Sequence, residues 1–148
     1  MSVAVISSGA GAVVERKLTP TDRPVALSST STRWVTARSI ETGVPAAPAS
    51  TADAVLVAPA TADTIAAMAQ GFARDMLTAV LLGTNAPIVV APAMEHNMWH
   101  HPATQANISL LRARGVTIVE PESGRLASGA SGDGRLASRA AIVAAIRG

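Results

Sequence analysis

The sequence predicts an α/β protein: a doubly wound parallel sheet with helices on both faces, in three layers. Short β-branched runs alternate with alanine-rich helical stretches along nearly the whole chain. The runs at 54–58, 88–91 and 117–120 are almost continuously apolar, as expected of strands covered on both faces. A length of 148 residues suits a single domain over 1–148.

Strands are placed at 3–7, 25–27, 54–58, 88–91 and 117–120. A brief helix at 12–18 precedes Pro20 and Pro24, which makes the first crossover unusually short. Helices at 62–70, 75–82 and 103–114 are closed by Gly71, Gly83 and Gly115. A last helix covers 140–146. The stretch 122–139, with Gly124, Gly129, Gly132 and Gly134, has no apolar period and reads as a long loop of the functional or mobile kind.

Composition narrows the chemistry. No cysteine is present, which excludes disulfides, thiolate metal sites and any step by the protein's own thiol. With two Trp and one Phe, the core has to be built from Ala, Val, Ile and Leu. Twelve Lys+Arg against ten Asp+Glu give a net charge of +2 with no basic cluster, so neither nucleic acid nor a membrane surface is expected as a partner. Mean hydropathy is +0.33, yet the apolar stretches fall well short of the ~18 residues that span a bilayer. Residues 1–18 lack a basic segment ahead of their apolar part, and a soluble, cytoplasmic protein is expected.

Open parallel sheets bind ligands outside the carboxyl ends of their strands, so the segments that follow strands are the informative ones. After the first strand stands Ser7-Ser8-Gly9-Ala10-Gly11-Ala12. Its glycines either let backbone N–H groups approach a phosphate at a helix N-terminus or simply make a tight turn. After the second stands Ser28-Ser29-Thr30-Ser31-Thr32, with Trp34 beyond it. These hydroxyls suit a phosphate with the indole flanking a flat ring, or an N-cap cluster beside a core Trp. After the third and fourth strands come Ala58-Pro59-Ala60-Thr61-Ala62-Asp63-Thr64 and Ala91-Pro92-Ala93-Met94-Glu95-His96-Asn97-Met98-Trp99. Two Ala-Pro-Ala segments at equivalent strand ends bring nearly bare backbone to one edge, where a planar ligand can lie.

The runs APATADTIAAMAQGFARDMLT, APAMEHNMWHHPATQAN and SGRLASGASGDGRL resemble the homo-oligomeric, flavin-containing cysteine decarboxylases. That family includes phosphopantothenoylcysteine decarboxylase and the peptidyl-cysteine decarboxylases of lanthipeptide and related peptide biosynthesis. The resemblance covers residues 52–135 and weakens toward the N-terminus. It implies a Rossmann-like, flavodoxin-like three-layer sandwich and an FMN at a subunit interface of a homotrimer or a trimer-based dodecamer. The family's phosphate loop falls on Gly9, Ala10 and Gly11, and its second phosphate segment on Ser28, Ser29 and Thr30, with Trp34 where an aromatic is usual. Thr61, Ala62, Asp63 and Thr64 take the place of its flavin-binding stretch, Ala93 sits at its flavin-contacting alanine, and Met94, Met98 and Trp99 belong to its PAMNxxMW motif.

Three positions depart from the family's pattern. Its catalytic His falls on Pro45, the Asn that recognises the substrate carboxylate is Glu95, and the reactive Cys of its mobile loop is Ser128. Serine cannot return electrons as a thiol does, so net oxidation is the easier outcome to defend at such a site. A carboxylate at 95 disfavours a substrate carboxylate by roughly 1–4 kcal/mol, or serves as a base. Arg125 and Arg135 either hold that substrate carboxylate or are plain solvated arginines.

His96, His100 and His101 share one stretch with Glu95, and His96 and His100 have the i,i+4 spacing of a metal pair on a helix. Pro102 argues against a helix through His101. No metal is expected. The histidines read as surface or interface residues, with His96 a candidate base. The expected catalytic set is therefore Glu95, His96 and Ser128, with Met94, Glu95, Met98, Arg125 and Arg135 facing the substrate. The expected activity is FMN-dependent oxidative decarboxylation of a peptide's C-terminal cysteine to an aminoenethiol. The alternatives are phosphopantothenoylcysteine decarboxylation for coenzyme A, or a non-catalytic flavoprotein subunit that supports an active homologue.

Overall fold

A computed structural model describes residues 3–7 and 33–34 as backbone and residues 52–148 in full. Its elements are β1 (Val3–Ser7), β2 (Arg33–Trp34), β3 (Ala54–Ala60), α1 (Ala62–Gln70), α2 (Met76–Gly83), β4 (Ile88–Pro92), α3 (His96–Trp99), α4 (Pro102–Ala113), β5 (Thr117–Ile118), β6 (Glu122–Arg125), β7 (Ser131–Arg135) and α5 (Arg139–Arg147). Five strands form one sheet in the order β2-β1-β3-β4-β5, and β6 and β7 form a separate hairpin.

The parallel core is β3, β4 and β5, with Val57 opposite Val90 and Val90 opposite Ile118. Because successive side chains of a strand point to opposite faces, β3 feeds two cores. Val55 and Val57 pack with Ile65, Ala69, Leu81, Ile108 and Leu111 from α1, α2 and α4. Ala54 and Leu56 pack with Val119, Ala137 and Ile142 on the other face, under α5. Helices thus flank both faces of the sheet in a flavodoxin- or Rossmann-like arrangement. None of the described helices is long and apolar enough to cross a membrane.

Local chemistry explains where the helices begin. Thr61 caps α1 by accepting the Thr64 N–H, and Gly71 ends it in the left-handed conformation at φ 71°. Asp75, expected inside α2, stands one residue before it as the cap. Its Oδ1 accepts the Thr78 N–H at 2.8 Å, while its own N–H donates to Thr78 Oγ at 3.1 Å. That backbone hydrogen bond from Thr78 is the largest reason its carboxyl lies below the usual 3.8. Pro102 sits in the first turn of α4, where its missing N–H costs nothing, so the helix starts one residue earlier than expected.

Three expectations need correction. Strand β1 pairs antiparallel with β3, Val3 opposite Val57 and Ile6 opposite Ala54, so its C-terminal end lies beside the start of β3. Apolar alternation reads the same in both directions and places a strand in a sheet without orienting it. The supposed loop at 122–139 is the β6–β7 hairpin, a short connection at 136–138 and the first residue of α5. Its strands, ESGR and SGDGR, contain no β-branched residue. Polar cross-strand pairs support them instead: Glu122 opposite Arg135 and Ser123 opposite Asp133. The strand expected at 117–120 is short, only Thr117–Ile118. The strand at 25–27 and the helix at 12–18 fall outside the described residues.

Candidate functional site

The parallel strands β3 and β4 end side by side, Ala60 opposite Pro92. Just beyond, the Ala93 N–H donates to the Ala60 carbonyl at 3.0 Å, so the two Ala-Pro-Ala corners are joined through their backbones. Ala93 and Ala62 are partly exposed and Thr61 is exposed. Thr61 Oγ and Thr64 Oγ share a hydrogen bond of 3.0 Å, which fixes both hydroxyls at the start of α1. Asp63, in the first turn of that helix, points its carboxylate toward Arg74 at 3.8 Å. Beside it, Ala62, Asn97, Met98, His101 and Thr104 line an open depression of about 360 Å³. Met98 is 46% exposed there, whereas Trp99 is buried in the core.

The β6–β7 hairpin folds down on the segment that leaves β4. The Met94 N–H donates to the Gly134 carbonyl at 2.9 Å. Gly134 has φ +131°, and a Cβ there would stand 2.1 Å from the Met94 carbonyl oxygen; one at Gly132 would stand 3.0 Å from His96 Cβ. At 134 only glycine permits this approach, and at 132 any side chain would push against His96.

The close approach brings together residues that are far apart in sequence. Ser128, in the hairpin turn, donates its hydroxyl to Glu95 Oε2 at 2.8 Å and its N–H to Glu95 Oε1 at 3.2 Å. His96 Nδ1 accepts the Asp133 N–H at 3.2 Å, and His100 Nε2 lies 3.0 Å from Asp133 Oδ2. Ser123 Oγ donates to Asp133 Oδ1. That bond, and after it the one with His100, holds the Asp133 carboxyl below its ordinary 3.8. Arg135 donates to Glu122 Oε2 at 2.7 Å, so its guanidinium is engaged within the hairpin, and Arg125 is exposed at the end of β6.

Of the expected site residues, Thr61, Ala62, Thr64, Ala93, Met94, Glu95, His96, Met98 and Ser128 therefore lie around the joined strand ends and the hairpin above them. Asp63 and Arg135 are turned to Arg74 and Glu122. Gly9, Ala10, Gly11, Ser28, Ser29, Thr30 and Pro45 lie outside the described residues, and of Trp34 only the backbone, in β2, is described. Sequence reasoning missed Asp133, Ser123 and the two close-packed glycines. The signal available for them was the Gly132-Asp133-Gly134 triplet, an acid flanked by residues that let backbone come close.

The family model described as Flavoprotein matches residues 1–148. Among curated relatives, the coenzyme A biosynthesis bifunctional protein CoaBC of Mycobacterium tuberculosis (strain ATCC 25618 / H37Rv) is 54% identical over 85 residues, 57% of this chain and 20% of the relative. A cysteine/cysteine sulfinic acid decarboxylase from an unknown prokaryotic organism is 48% identical over 91 residues, 62% of this chain and 25% of the relative. Among solved structures, a cysteine-to-serine variant of PPC decarboxylase complexed with pantothenoylaminoethenethiol matches with a TM-score of 0.64 and 34% identity, over 66% of this chain and 54% of that one. The FMN-dependent cysteine decarboxylase SpaF matches with a TM-score of 0.58 and 38% identity, over 69% and 55%. The chain thus spans about a quarter or less of these curated relatives and about half of the solved chains.

Proposed function

The chain belongs to the Flavoprotein family, and we propose that it is an FMN-dependent catalyst that removes the carboxyl group of a cysteine-derived thiol. The observation that carries this reading is the pair of joined strand ends. With Ala60 buried beneath them, Thr61, Ala62 and Ala93 present small, at least partly exposed side chains beside the joined strand ends, a surface that a flat tricyclic ring fits without displacing anything bulky. Thr61, Ala62 and Ala93 would hold the ring, with Thr64 fixing the Thr61 hydroxyl. Because β1 runs antiparallel, Ser7 and Trp34 lie toward the start of β3, away from these strand ends, and the phosphate is not assigned to the segment after β1 or to Trp34.

Bound flavin would supply the two-electron acceptor that the chemistry needs, because loss of carbon dioxide from an unactivated cysteine carboxylate would leave an unstabilised carbanion. The chain's own part is positioning. Met94 and Met98 would line the substrate's path at the strand ends, and the hairpin with Ser128 and Arg125 would exclude water from above. Glu95, tied to Ser128, would stand where a proton has to be taken. The assembly proposed for this work is a homotrimer or a larger assembly of trimers.

Two substrate classes fit. The relatives named for coenzyme A biosynthesis favour an acylated cysteine of the phosphopantothenoyl type. The serine at 128, in place of a thiol that could return the electrons, favours a peptide with a C-terminal cysteine. In either case serine cannot be oxidised and reduced reversibly, so the product is an enethiol. Purified chain with FMN would be incubated aerobically with each substrate and the products weighed. A loss of about 46 mass units, carbon dioxide and two hydrogens, is the expected result. Loss of about 44 units means that the electrons are returned. No loss with either substrate, restored only on mixing with a homologue, means a supporting subunit.

A further inference from the structure

We propose that His96, His100 and Asp133 form a binding site for a borderline first-row divalent cation, zinc above all, which fastens the β6–β7 hairpin to α3. The two histidines are four residues apart, at the start and just past the end of α3, with ring centroids 4.5 Å apart. Asp133 reaches them from β7. Its Oδ2 lies 3.0 Å from His100 Nε2 and 4.0 Å from His96 Nδ1, and the potential ligand atoms of all three residues lie within 4.8 Å of one another. Donor atoms in a tetrahedral zinc site are about 3.3 Å apart. The observed distances straddle that value; on binding, His96 Nδ1 would exchange the Asp133 N–H it accepts at 3.2 Å for the cation, and small rotations of exposed side chains close the remaining difference.

The surroundings are those of a metal centre's outer shell. Ser123 Oγ engages Asp133 Oδ1 and leaves Oδ2 turned toward the histidines. Gly132 gives His96 the room that a side chain would occupy. Two imidazoles and one carboxylate suit zinc, cobalt or nickel rather than magnesium or calcium, which prefer all-oxygen shells. The three ligands leave a position open to water. A cation here joins residues on the two sides of the contact made by Met94 and Gly134, so it restricts the hairpin that carries Ser128.

The test needs neither flavin nor substrate, so it is independent of the decarboxylase reading. Full chain stripped with EDTA is titrated with zinc chloride by calorimetry. One equivalent is expected to bind, with slower amide exchange at Leu126 and Gly129 in the hairpin turn. His100→Ala and Asp133→Asn should each weaken binding by more than Ser123→Ala, for which an outer-shell loss of about tenfold is expected. His101→Ala, whose ring caps α4 through the Ala103 N–H, should leave the affinity unchanged. Circular dichroism of each variant checks that it is folded. Absence of zinc binding by the parent chain, or an equal loss in His101→Ala and His100→Ala, overturns the proposal.

Discussion

Ser128 and Glu95 hold each other across 33 positions of sequence: the serine gives both its hydroxyl and its N–H to the two oxygens of one carboxylate, at 2.8 and 3.2 Å. The hairpin turn is thereby tied to the segment that follows β4. Removing the hydroxyl leaves the backbone bond in place. Ser128→Ala should therefore weaken the tie by about 1 kcal/mol, the usual net worth of one hydrogen bond. Amide exchange at Gly129 would show it, and the effect of the serine change there should shrink in a Glu95→Ala background, as a double-mutant cycle reads; Ala130, whose N–H donates to the Ser128 hydroxyl, responds to the serine change in both backgrounds.

The same pair governs turnover under the proposed function. Glu95→Asn removes a negative charge from the neighbourhood of a substrate carboxylate and should lower KM about tenfold, a change of about 1.4 kcal/mol, while loss of the proposed base should lower kcat by at least about a hundredfold. Ser128→Cys restores a thiol that can be oxidised and reduced. Its product should shift from a loss of about 46 mass units toward about 44, read by mass spectrometry of the same incubation.

Gly134 tolerates no side chain. Its φ of +131° and the 2.1 Å approach of a Cβ to the Met94 carbonyl both oppose substitution. Gly134→Ala should displace the hairpin and cost at least about 1–3 kcal/mol from backbone strain alone. Gly129, at φ +88°, has nothing within 4 Å of an added Cβ, so Gly129→Ala should cost only about 1–2 kcal/mol. Thermal melts of the two variants give the comparison.

Acid should open the hairpin at its base. Glu122 accepts from Arg135, the largest cause of its lowered pKa, and from the Ser138 N–H at 2.7 Å. A carboxylate whose folded pKa is depressed stabilises fully above its ordinary value, here 4.5, and loses that contribution as pH falls through the depressed value. Protection of the Ser138 amide should therefore hold down to that range and then vanish. In Glu122→Gln the dependence should be absent.

Much of the sheet was legible because its central strands are unbroken apolar runs: Ala54, Val55, Leu56 and Val57 are all buried, and so are Val89, Val90 and Ala91. The hairpin was not, because the residues that hold it are serine, aspartate, glutamate and arginine in cross-strand pairs, and strand propensity is blind to such pairs. The direction of β1 escaped for a different reason, since no property of Val3-Ala4-Val5-Ile6 distinguishes one orientation from the other. At the site, Glu95 and Ser128 were each identifiable as unusual residues. That each answers the other was not, because their contact is made by a fold-back of the chain.

The bond from Ala93 to Ala60 turns two chain segments into one shelf. Its height is set by the two strands it joins. Whatever variety of cargo such a protein admits has to be written in the flap above and in the few side chains at its hinge. Those can be exchanged without disturbing the foundations, so a chemist wishing to redirect the protein would leave the shelf alone and rewrite the roof.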